Sequence, residues 1–425
     1  MRRNRYTFNS IRKKFQEGHF SVLAMKLKSK IFLLICILCA LYLLLNTELN
    51  TELYNPSRTY PSSGYVKYFP SQNYTYKGNN SVPTILLWTS FYNEASESWR
   101  KRSEPCMEAC PWKCILATNK SMVPNSDAVL FHLSDTYWVG KNTEIHRIFF
   151  KFPAYRRPDQ VWVVYHLEPL SKVWGNLQVF NEVFNWTQTY RRDSDIFDPY
   201  GEFRPTTKEE AESVTKQLES SSYFREKNNS ALIINSLCND NARRFRIVDI
   251  LSKYVKVDKY GECGRGCPGN RNSCDKLHTS YKFYLAFENS YCRDYITEKY
   301  WRRSTYRQIP IVAWRQDYSG LVIPKSYINV FDFPDIDSAG RYIAEVDRNE
   351  TLFNSYFEWM KQYKITGKCD LCRTCESLHT KKIPHQVYSN FEGWLTDDTC
   401  YKSSVMRVLH QTVDRFLFDG TFRIL

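Results

Sequence analysis

The stretch of sequence that decides the fold is YKFYLAFENSYCRDYITEKYW, residues 281–301. It begins with an apolar run at 282–287 (KFYLAF), which is typical of a strand buried on both faces of a parallel sheet. The polar residues Glu288, Asn289 and Ser290 follow where such a strand would emerge at its carboxyl end. Ligands bind at that edge in open α/β sheets. The stretch therefore predicts an α/β fold with a ligand site directly after this strand.

The same stretch continues into a candidate helix start. Thr297, Glu298 and Lys299 lie where a helix is expected to begin, and exposed N–H groups together with the Lys299 ammonium could hold a phosphate. The alternative is a capped helix with a solvated charge pair, which binds nothing. These residues alone leave both interpretations open.

Similar apolar runs recur on both sides of the deciding stretch. Further candidate strands are 84–89 (TILLWT), 128–132 (AVLFH), 161–167 (VWVVYHL), 231–235 (ALIIN) and 309–313 (IPIVA). Polar, helix-compatible segments separate them, which is typical of parallel sheets with covering helices. Residues 81–425 are more than one such sheet requires, so we expect two sheets divided within the polar stretch 204–229.

Charge is concentrated at the N-terminus. The chain has 425 residues, 43% hydrophobic, with a net charge of +14, and residues 1–30 hold nine basic side chains against one acid. The apolar run IFLLICILCALYLLL follows at 31–45. The basic flank predicts a single-pass signal anchor with its N-terminus in the cytosol. A cleaved signal peptide would have a shorter basic start and a small-residue cleavage site. A buried core helix would need a polar face. Because the basic run lies beside a membrane span, nucleic-acid binding is disfavoured.

A lumenal location makes two further features meaningful. Residues 46–80 are rich in Asn, Ser, Thr, Pro and Tyr without a helix or strand period, which predicts a stem. Asn-x-Ser/Thr sequons are N-glycosylation candidates in a secretory compartment. They lie at Asn73, Asn79, Asn119, Asn185, Asn228 and Asn349.

Twelve cysteines follow the anchor in groups of three, five and four. They are Cys106, Cys110 and Cys114; Cys238, Cys263, Cys267, Cys274 and Cys292; and Cys369, Cys372, Cys375 and Cys400. The overlapping C-x-x-C units at 369–375 (CDLCRTC) would suggest zinc in a cytosolic chain, whereas disulfides are favoured in the lumen. If all twelve pair, at least one bridge must leave the group of five.

Several blocks resemble the α-1,3-fucosyltransferase family (glycosyltransferase family 10), which transfers fucose from GDP-fucose. F-E-N-S followed by D-Y-I-T-E-K is similar to its signature, and the resemblance runs in order over roughly residues 84–380. The other matching blocks are FNWTQTYRRDSDIFDPYG at 184–201, ARRFR at 242–246 with V-D-x-Y-G at 257–261, FDF at 331–333 and SYFEW at 355–359. The region at 260–275 (YGECGRGCPGNRNSCD) resembles invertebrate members more than vertebrate Lewis-type ones.

The resemblance implies a GT-B architecture of two facing Rossmann-like domains. The expected organisation is a cytoplasmic tail at 1–30, a transmembrane anchor at 31–45, a stem at 46–80, an acceptor-side domain at 81–225, a GDP-fucose domain at 226–380 and a segment at 381–425 returning to the first domain. It also implies that the first cysteine group joins the C-terminal one. The implied donor-binding residues are Arg243, Asn289, Tyr295, Glu298 and Lys299, with the arginine and lysine neutralising the pyrophosphate of leaving GDP.

Inversion at the anomeric carbon needs a base that takes the proton of the attacking hydroxyl. The family's base is a glutamate after a first-domain strand, and here the strand at 161–167 leads into Glu168. The family usually reads E-S-P at this point, whereas this chain reads Glu168-Pro169-Leu170. Alternation puts His166 on the same face as Glu168, which makes it a candidate neighbour, although a lone strand histidine is more often structural.

No essential cofactor or metal is expected, and a divalent cation would at most be stimulatory. The chain offers two D-x-D patterns, Asp193-Ser194-Asp195 and Asp335-Ile336-Asp337, but two aspartates at this spacing are a weak metal signal. The function expected from the sequence is an inverting, Golgi type II α-1,3-fucosyltransferase that acts on N-glycan or other GlcNAc-containing acceptors, core or antennal. A catalytically inactive, disulfide-bonded glycan-binding membrane protein is the alternative.

Overall fold

The computed structural model describes most of the chain beyond residue 81. Described are residues 66–68, 82–139, 148–150, 152–169, 177–238, 242, 244–268, 274–380, 383–384, 386–396 and 399–400. The predicted anchor at 31–45, most of the stem with Asn73 and Asn79, and Arg243 lie outside the described residues. Within the described ranges, no helix has both the length and the apolar character needed to cross a membrane.

Strands and helices alternate along the described chain. The strands are β1 Val66–Tyr68, β2 Thr84–Leu87, β3 Ile115–Ala117, β4 Ala128–His132, β5 Tyr137–Val139, β6 Ile148–Phe150, β7 Val161–His166, β8 Trp186–Thr189, β9 Ile196–Phe197, β10 Glu202–Pro205, β11 Asn229–Ile234, β12 Val257–Tyr260, β13 Tyr281–Leu285, β14 Ile309–Val312, β15 Ile328–Asn329, β16 Tyr363–Thr366 and β17 Gln386–Tyr388. The helices are α1 Ser96–Glu108, α2 Leu133–Thr136, α3 Lys208–Ser220, α4 Arg244–Leu251, α5 Asp275–His278, α6 Glu298–Trp301, α7 Ile336–Arg348, α8 Glu350–Ser355, α9 Asp370–Thr380 and α10 Phe391–Thr396.

The first large sheet is parallel, with strand order β3-β2-β4-β7-β8-β9. Every residue of β2, β4 and β7 is buried, as their continuous apolar runs predict. On one face Trp99 of α1 and Leu371 and Leu378 of α9 pack against the sheet. On the other face Phe391 and Trp394 of α10 pack against it. The chain therefore returns to the first core at α9, which begins eleven residues before the predicted C-terminal segment at 381.

The second large sheet is also parallel, with order β12-β11-β13-β14-β15. Helices α4 and α7 bury Ile247 and Ile343 against one face, and Tyr300 and Trp301 of α6 lie in the cluster on the other. The predicted α/β class with two parallel sheets is thus confirmed.

The predicted strands are all present, with differences at their ends. The strand predicted at 282–287 spans Tyr281–Leu285, and the one predicted at 84–89 spans Thr84–Leu87. In both cases the apolar run continues beyond the strand as extended chain with single ladder-like bonds, from Ala286 N–H to the Ile311 carbonyl and from Trp88 N–H to the Leu130 carbonyl. Hydrophobicity predicts which residues are buried, and here the buried residues extend beyond the end of regular strand pairing.

The polar stretch predicted to divide the sheets contains α3 and no buried helical residue. Its N-terminus carries a capping box: the Thr207 hydroxyl accepts from the Glu210 N–H, and the Glu210 carboxylate accepts from the Thr207 N–H. Just before the helix, β10 pairs antiparallel with β16, which joins this stretch to the end of the second half.

Six disulfides are formed, as the lumenal interpretation predicts. Three of them join α1 and the residues after it to α9: Cys106–Cys369, Cys110–Cys372 and Cys114–Cys375. The middle group contributes Cys238–Cys263, Cys267–Cys274 and the outgoing Cys292–Cys400. The implied link from the first cysteine group to the C-terminal one is therefore confirmed. The prediction that at least one bridge leaves the group of five is also confirmed, by Cys292–Cys400.

One of the predicted glycosylation sites, Asn185, is buried in the folded chain. Asn185 is 6% exposed, and its amide accepts from the Trp162 N–H at 2.9 Å and donates to the Gln386 carbonyl at 2.8 Å. A glycan on this nitrogen would displace core hydrogen bonds that the folded chain needs. The other described sequon asparagines, Asn119, Asn228 and Asn349, are exposed.

Candidate active site

A cleft of about 570 Å³ lies where the carboxyl ends of the two parallel sheets meet. From the first sheet it is lined by the loops after β2 and β7, and from the second by the loops after β11 and β13 and by the start of α6. This is the position that the sequence argument assigned to the ligand site. Of the predicted site residues, five line the cleft: Glu168, Asn289, Tyr295, Glu298 and Lys299.

Glu288 organises the second-sheet side of the cleft (234–237, 244, 284, 289, 295, 298 and 299). It is called here the donor wall, after the role that the sequence resemblance implies for it. Its buried carboxylate accepts from the Thr297 N–H at 2.9 Å, from the Thr297 hydroxyl at 2.8 Å and from the Lys299 ammonium at 2.8 Å. Burial opposes the charge on Lys299, but the nearby carboxylates of Glu288 and Glu298 together outweigh burial, and the pKa of Lys299 is raised. Lys299 therefore stays cationic and is held in one place.

The start of α6 is capped. The Thr297 N–H is occupied by Glu288, and the Thr297 hydroxyl accepts from the backbone N–H of Lys299. Glu298 is half exposed, and its carboxylate lies 3.7 Å from the Lys299 ammonium. The phosphate-binding capacity at this point therefore lies with the Lys299 side chain more than with free helical N–H groups.

Arg244 is the second cation on the donor wall. It is the first residue of α4, is buried, and donates at 3.1 Å to the Asn235 side chain and to the carbonyls of Leu237 and Phe287. The resemblance implied its neighbour Arg243, which lies outside the described residues. Arg244 lines the cleft from the start of α4, and the sequence interpretation did not single it out.

Asn289 and Tyr295 complete the donor wall. The Asn289 side-chain oxygen is buried and has no hydrogen-bond partner within the described part of the chain. A buried acceptor at a cleft wall is costly unless a ligand or water donates to it. Tyr295 packs its ring 4.9 Å from Tyr190 and 6.0 Å from Tyr200, and burial raises the pKa of its phenol well above the usual value. Its hydroxyl therefore stays protonated.

Glu168 reaches the cleft from the end of β7, on the first-sheet side. The Tyr200 hydroxyl donates to the Leu167 carbonyl at 2.7 Å and so ties down the backbone directly before Glu168. Burial, followed by the charge of Glu168, raises the pKa of the Tyr200 phenol well above its usual value. The carboxylate is thus a negative group beside neutral phenols, facing a cleft whose other wall carries cations.

His166 does not line the cleft. It is 1% exposed, neither ring nitrogen has a partner among the described residues, and its ring lies 6.3 Å from that of His132. Burial lowers the pKa of His166 to about 3, so the imidazole is neutral. The structural interpretation of this histidine is favoured over a direct role.

The first-sheet side of the cleft is called here the acceptor wall, after the role that the sequence resemblance implies for the first domain. It also contains three residues that the sequence interpretation missed: Tyr92, Lys368 and Asp370. Lys368 lies 2.9 Å from Asp370 and 3.3 Å from the buried Asp198. The Tyr165 hydroxyl donates to Asp370 at 2.7 Å. The only signal for Asp370 was its place between Cys369 and Cys372.

The carboxylates of both D-x-D patterns take part in protein contacts. Asp193 pairs with Arg191 and Arg293, and Asp195 accepts from the Tyr388 hydroxyl at 2.7 Å. Asp335 caps α7, and Asp337 accepts from a tyrosine. Among the described residues, one group with metal-like spacing is Cys114, Cys375 and His379, but its two sulfurs are already joined in a disulfide.

Comparisons with known proteins identify the family of the chain. The model for the C-terminal part of glycosyltransferase family 10 (fucosyltransferase) matches residues 224–394, and the fucosyltransferase N-terminal model matches residues 80–201. Alpha-(1,3)-fucosyltransferase fut-5 of Caenorhabditis elegans is 33% identical over 360 residues, covering 80% of this chain and 90% of that protein. Glycoprotein 3-alpha-L-fucosyltransferase A of Drosophila melanogaster is 32% identical over 345 residues, covering 77% and 63%.

A solved crystal structure of an alpha1,3-fucosyltransferase is 17% identical, covers 75% of this chain and 92% of its own, and superposes with a TM-score of 0.42. The two family models together span most of the chain, from the first sheet through α10. The chain therefore belongs to glycosyltransferase family 10 and is a fucosyltransferase of the α-1,3 family.

Proposed function

We propose that this enzyme transfers L-fucose from GDP-fucose, with inversion, to the 3-hydroxyl of GlcNAc in glycoprotein glycans, and that Glu168 is the general base. The observation that carries the proposal is the division of one cleft: a carboxylate at the end of a first-sheet strand faces a wall with Lys299 and Arg244. A base and a charge-neutralising group on opposite sides suit a displacement at the carbon between them.

In the proposed step, a carboxylate oxygen of Glu168 takes the proton of the acceptor 3-hydroxyl. The oxygen of that hydroxyl attacks the anomeric carbon of fucose at the same time. The bond from this carbon to the β-phosphate oxygen breaks, and GDP leaves with the electron pair. Lys299 and Arg244 then neutralise the charge that develops on the pyrophosphate. Glu168 holds the transferred proton until it is lost to solvent.

The remaining donor-wall residues fit GDP. Glu298, half exposed beside Lys299, can accept from ribose hydroxyls. The Asn289 side-chain oxygen can accept from a donor group of the nucleotide or the sugar. Tyr295 offers a protonated phenol and an aromatic face. Arg243 stays a prediction, since it lies outside the described residues, and Arg244 is the arginine that we assign to the pyrophosphate.

The acceptor, location and metal use are also proposed. Both core and antennal GlcNAc of N-glycans remain candidates, and the name of the Drosophila relative supports a glycoprotein acceptor. The basic flank and apolar run at 1–45 support a Golgi type II membrane protein with a lumenal catalytic domain. Because both D-x-D patterns are engaged in protein contacts, we propose transfer without an essential bound metal, to be tested with EDTA and with added Mn²⁺.

The test is a transfer assay with a secreted fragment starting near Ser81, GDP-fucose and two acceptors, one offering core GlcNAc and one antennal GlcNAc. We expect α-1,3 transfer to at least one acceptor. Glu168→Gln is expected to lower kcat by about 10²–10⁴-fold, the usual contribution of a general base, while the Kd for GDP changes little. Wild-type transfer by a folded Glu168→Gln variant would remove the glutamate from the mechanism. Glycan binding without any GDP-fucose turnover would favour the inactive glycan-binding alternative.

A further inference from the structure

Tyr92 lies on a tight turn at the mouth of the cleft. Phe91 and Glu94 exchange backbone hydrogen bonds of 2.9 and 3.0 Å, and the two residues between them, Tyr92 and Asn93, have φ values of 49° and 64°. This left-handed region favours glycine, and a bulky residue there is uncommon. A tyrosine at such a position indicates that the surroundings over-determine the turn.

Asp135 supplies that constraint. Its carboxylate accepts from the backbone N–H groups of Tyr92 and Asn93 and contacts the His132 ring nitrogen Nδ1 at 2.6 Å. His132 is fully buried at the end of β4, and its ring lies 4.4 Å from the ring of Tyr92. The first sheet therefore holds this turn from below and directs the tyrosine to the cleft.

The Tyr92 side chain is nevertheless not part of the core. It is 42% exposed, and it lines the same cleft as Glu168, Lys368 and Asp370. Partial burial, together with the charges of Glu168 and Asp135, raises the pKa of its phenol, so the hydroxyl stays a neutral donor. A fixed aromatic ring with an open face beside a carboxylate matches the chemistry of a pyranose, which has an apolar C–H face and a rim of hydroxyls.

We propose that Tyr92 is the stacking platform for a pyranose ring of the acceptor glycan and that Lys368 and Asp370 bind hydroxyls of the same glycan. This inference rests on the proposed transferase function and assigns the acceptor side of its site. Lys368 and Asp370 suit the role because Tyr165 and Asp198 already hold them in place, so little ordering is needed when a sugar binds.

The experiment compares Tyr92→Gly, Tyr92→Phe and Tyr92→Trp in the full-length protein. Glycine suits the left-handed turn, so Tyr92→Gly removes the ring and keeps the backbone. We expect Tyr92→Gly to raise the KM for the acceptor about tenfold, the loss typical of one aromatic contact, with the Kd for GDP unchanged. Tyr92→Phe and Tyr92→Trp should stay within about threefold of wild type, since both retain an aromatic face.

Tyr155→Ala is the matched control, because Tyr155 is also exposed, at 53%, and does not line the cleft. We expect this variant to transfer fucose like wild type. An unchanged acceptor KM in Tyr92→Gly would overturn the platform, and so would a loss of GDP affinity equal to the loss of acceptor affinity. If wild type transfers no fucose to any acceptor, the proposed function fails instead, which separates the two failures.

Discussion

The two walls of the cleft are built in different ways. The charged groups of the donor wall come mainly from one short run of chain, in which Glu288, Thr297 and Lys299 bind one another within twelve residues. The acceptor wall collects Tyr92, Glu168 and Asp370 from three distant parts of the chain. Local chemistry therefore specifies the donor wall, whereas only the completed fold assembles the acceptor wall.

The sharpest test of this comparison is a pair of lysine variants. Lys299→Met should lower kcat/KM for GDP-fucose about 10²–10³-fold, the usual loss when one charge-stabilising donor is removed from a transition state. Lys368→Met, on the acceptor wall, should raise the acceptor KM and leave the Kd for GDP unchanged. Steady-state kinetics and calorimetry measure both, and equal effects of the two variants on GDP binding would abolish the distinction between the walls.

A second test addresses the contact between the first sheet's last loop and α6. A Cβ on Gly201 would lie 2.3 Å from the Trp301 ring, so Gly201→Ala must displace that tryptophan. We expect a loss of about 1–3 kcal/mol in the free energy of unfolding, as for other overpacked sites. The KM for GDP-fucose should rise as well, because Trp301 and Lys299 share α6.

Gly266→Ala is the matched control, since no atom of the described residues lies within 4 Å of its added Cβ. Urea titrations of the two variants decide the point. Equal stability of Gly201→Ala and Gly266→Ala would mean that the walls are not coupled through this contact.

A third test concerns Glu288 as a positioning residue. Glu288→Gln keeps the volume but loses the charge that raises the pKa of Lys299. We expect a fall of about tenfold in kcat/KM, equivalent to about 1.4 kcal/mol, and a shift of the alkaline limb of the pH–rate profile to lower pH. Glu345→Gln on the exposed surface of α7 is the control. An unshifted alkaline limb would leave Glu288 with a purely structural role.

The smallest expected effect is on the pH dependence of stability, through one buried histidine in or beside each sheet. Burial lowers the pKa of His166, at the end of β7 in the first sheet, to about 3, and burial with the Arg303 charge lowers that of His278 beside the second sheet to about 4. Each unfolded histidine takes up a proton below about pH 6.5 that its folded form refuses, so stability present above pH 6.5 is lost as pH falls.

His166→Leu should therefore reduce the dependence of the unfolding free energy on pH by up to about 1.4 kcal/mol per pH unit between pH 6 and 5. Urea midpoints at the two pH values measure the slope. A variant whose slope matches wild type would show that His166 is not a buried neutral imidazole.

The sequence predicted the sheets and the donor wall better than the acceptor wall, for physical reasons. Buried strands and the run at 281–301 are local patterns. The presentation of Tyr92 depends instead on a left-handed turn held by Asp135, 43 residues away from Tyr92, which no local pattern shows. Asp370 was hidden between two cysteines, and the Asn185 sequon gives no sign that its amide lies in the core.

The three bridges that join the α1 region to the α9 region close chain loops of 261 to 263 residues, and their contributions to stability are not additive. In the chain-entropy account, the first bridge to form restricts the unfolded chain by about 5–6 kcal/mol. Each later bridge closes only a ring of a few residues and adds about half as much. Losing any single one of these disulfides therefore costs about the smaller stabilisation, because the other two still close the long loop. The three disulfides are therefore redundant. If one of them is reduced, the other two still hold Asp370 of α9 in place on the acceptor wall.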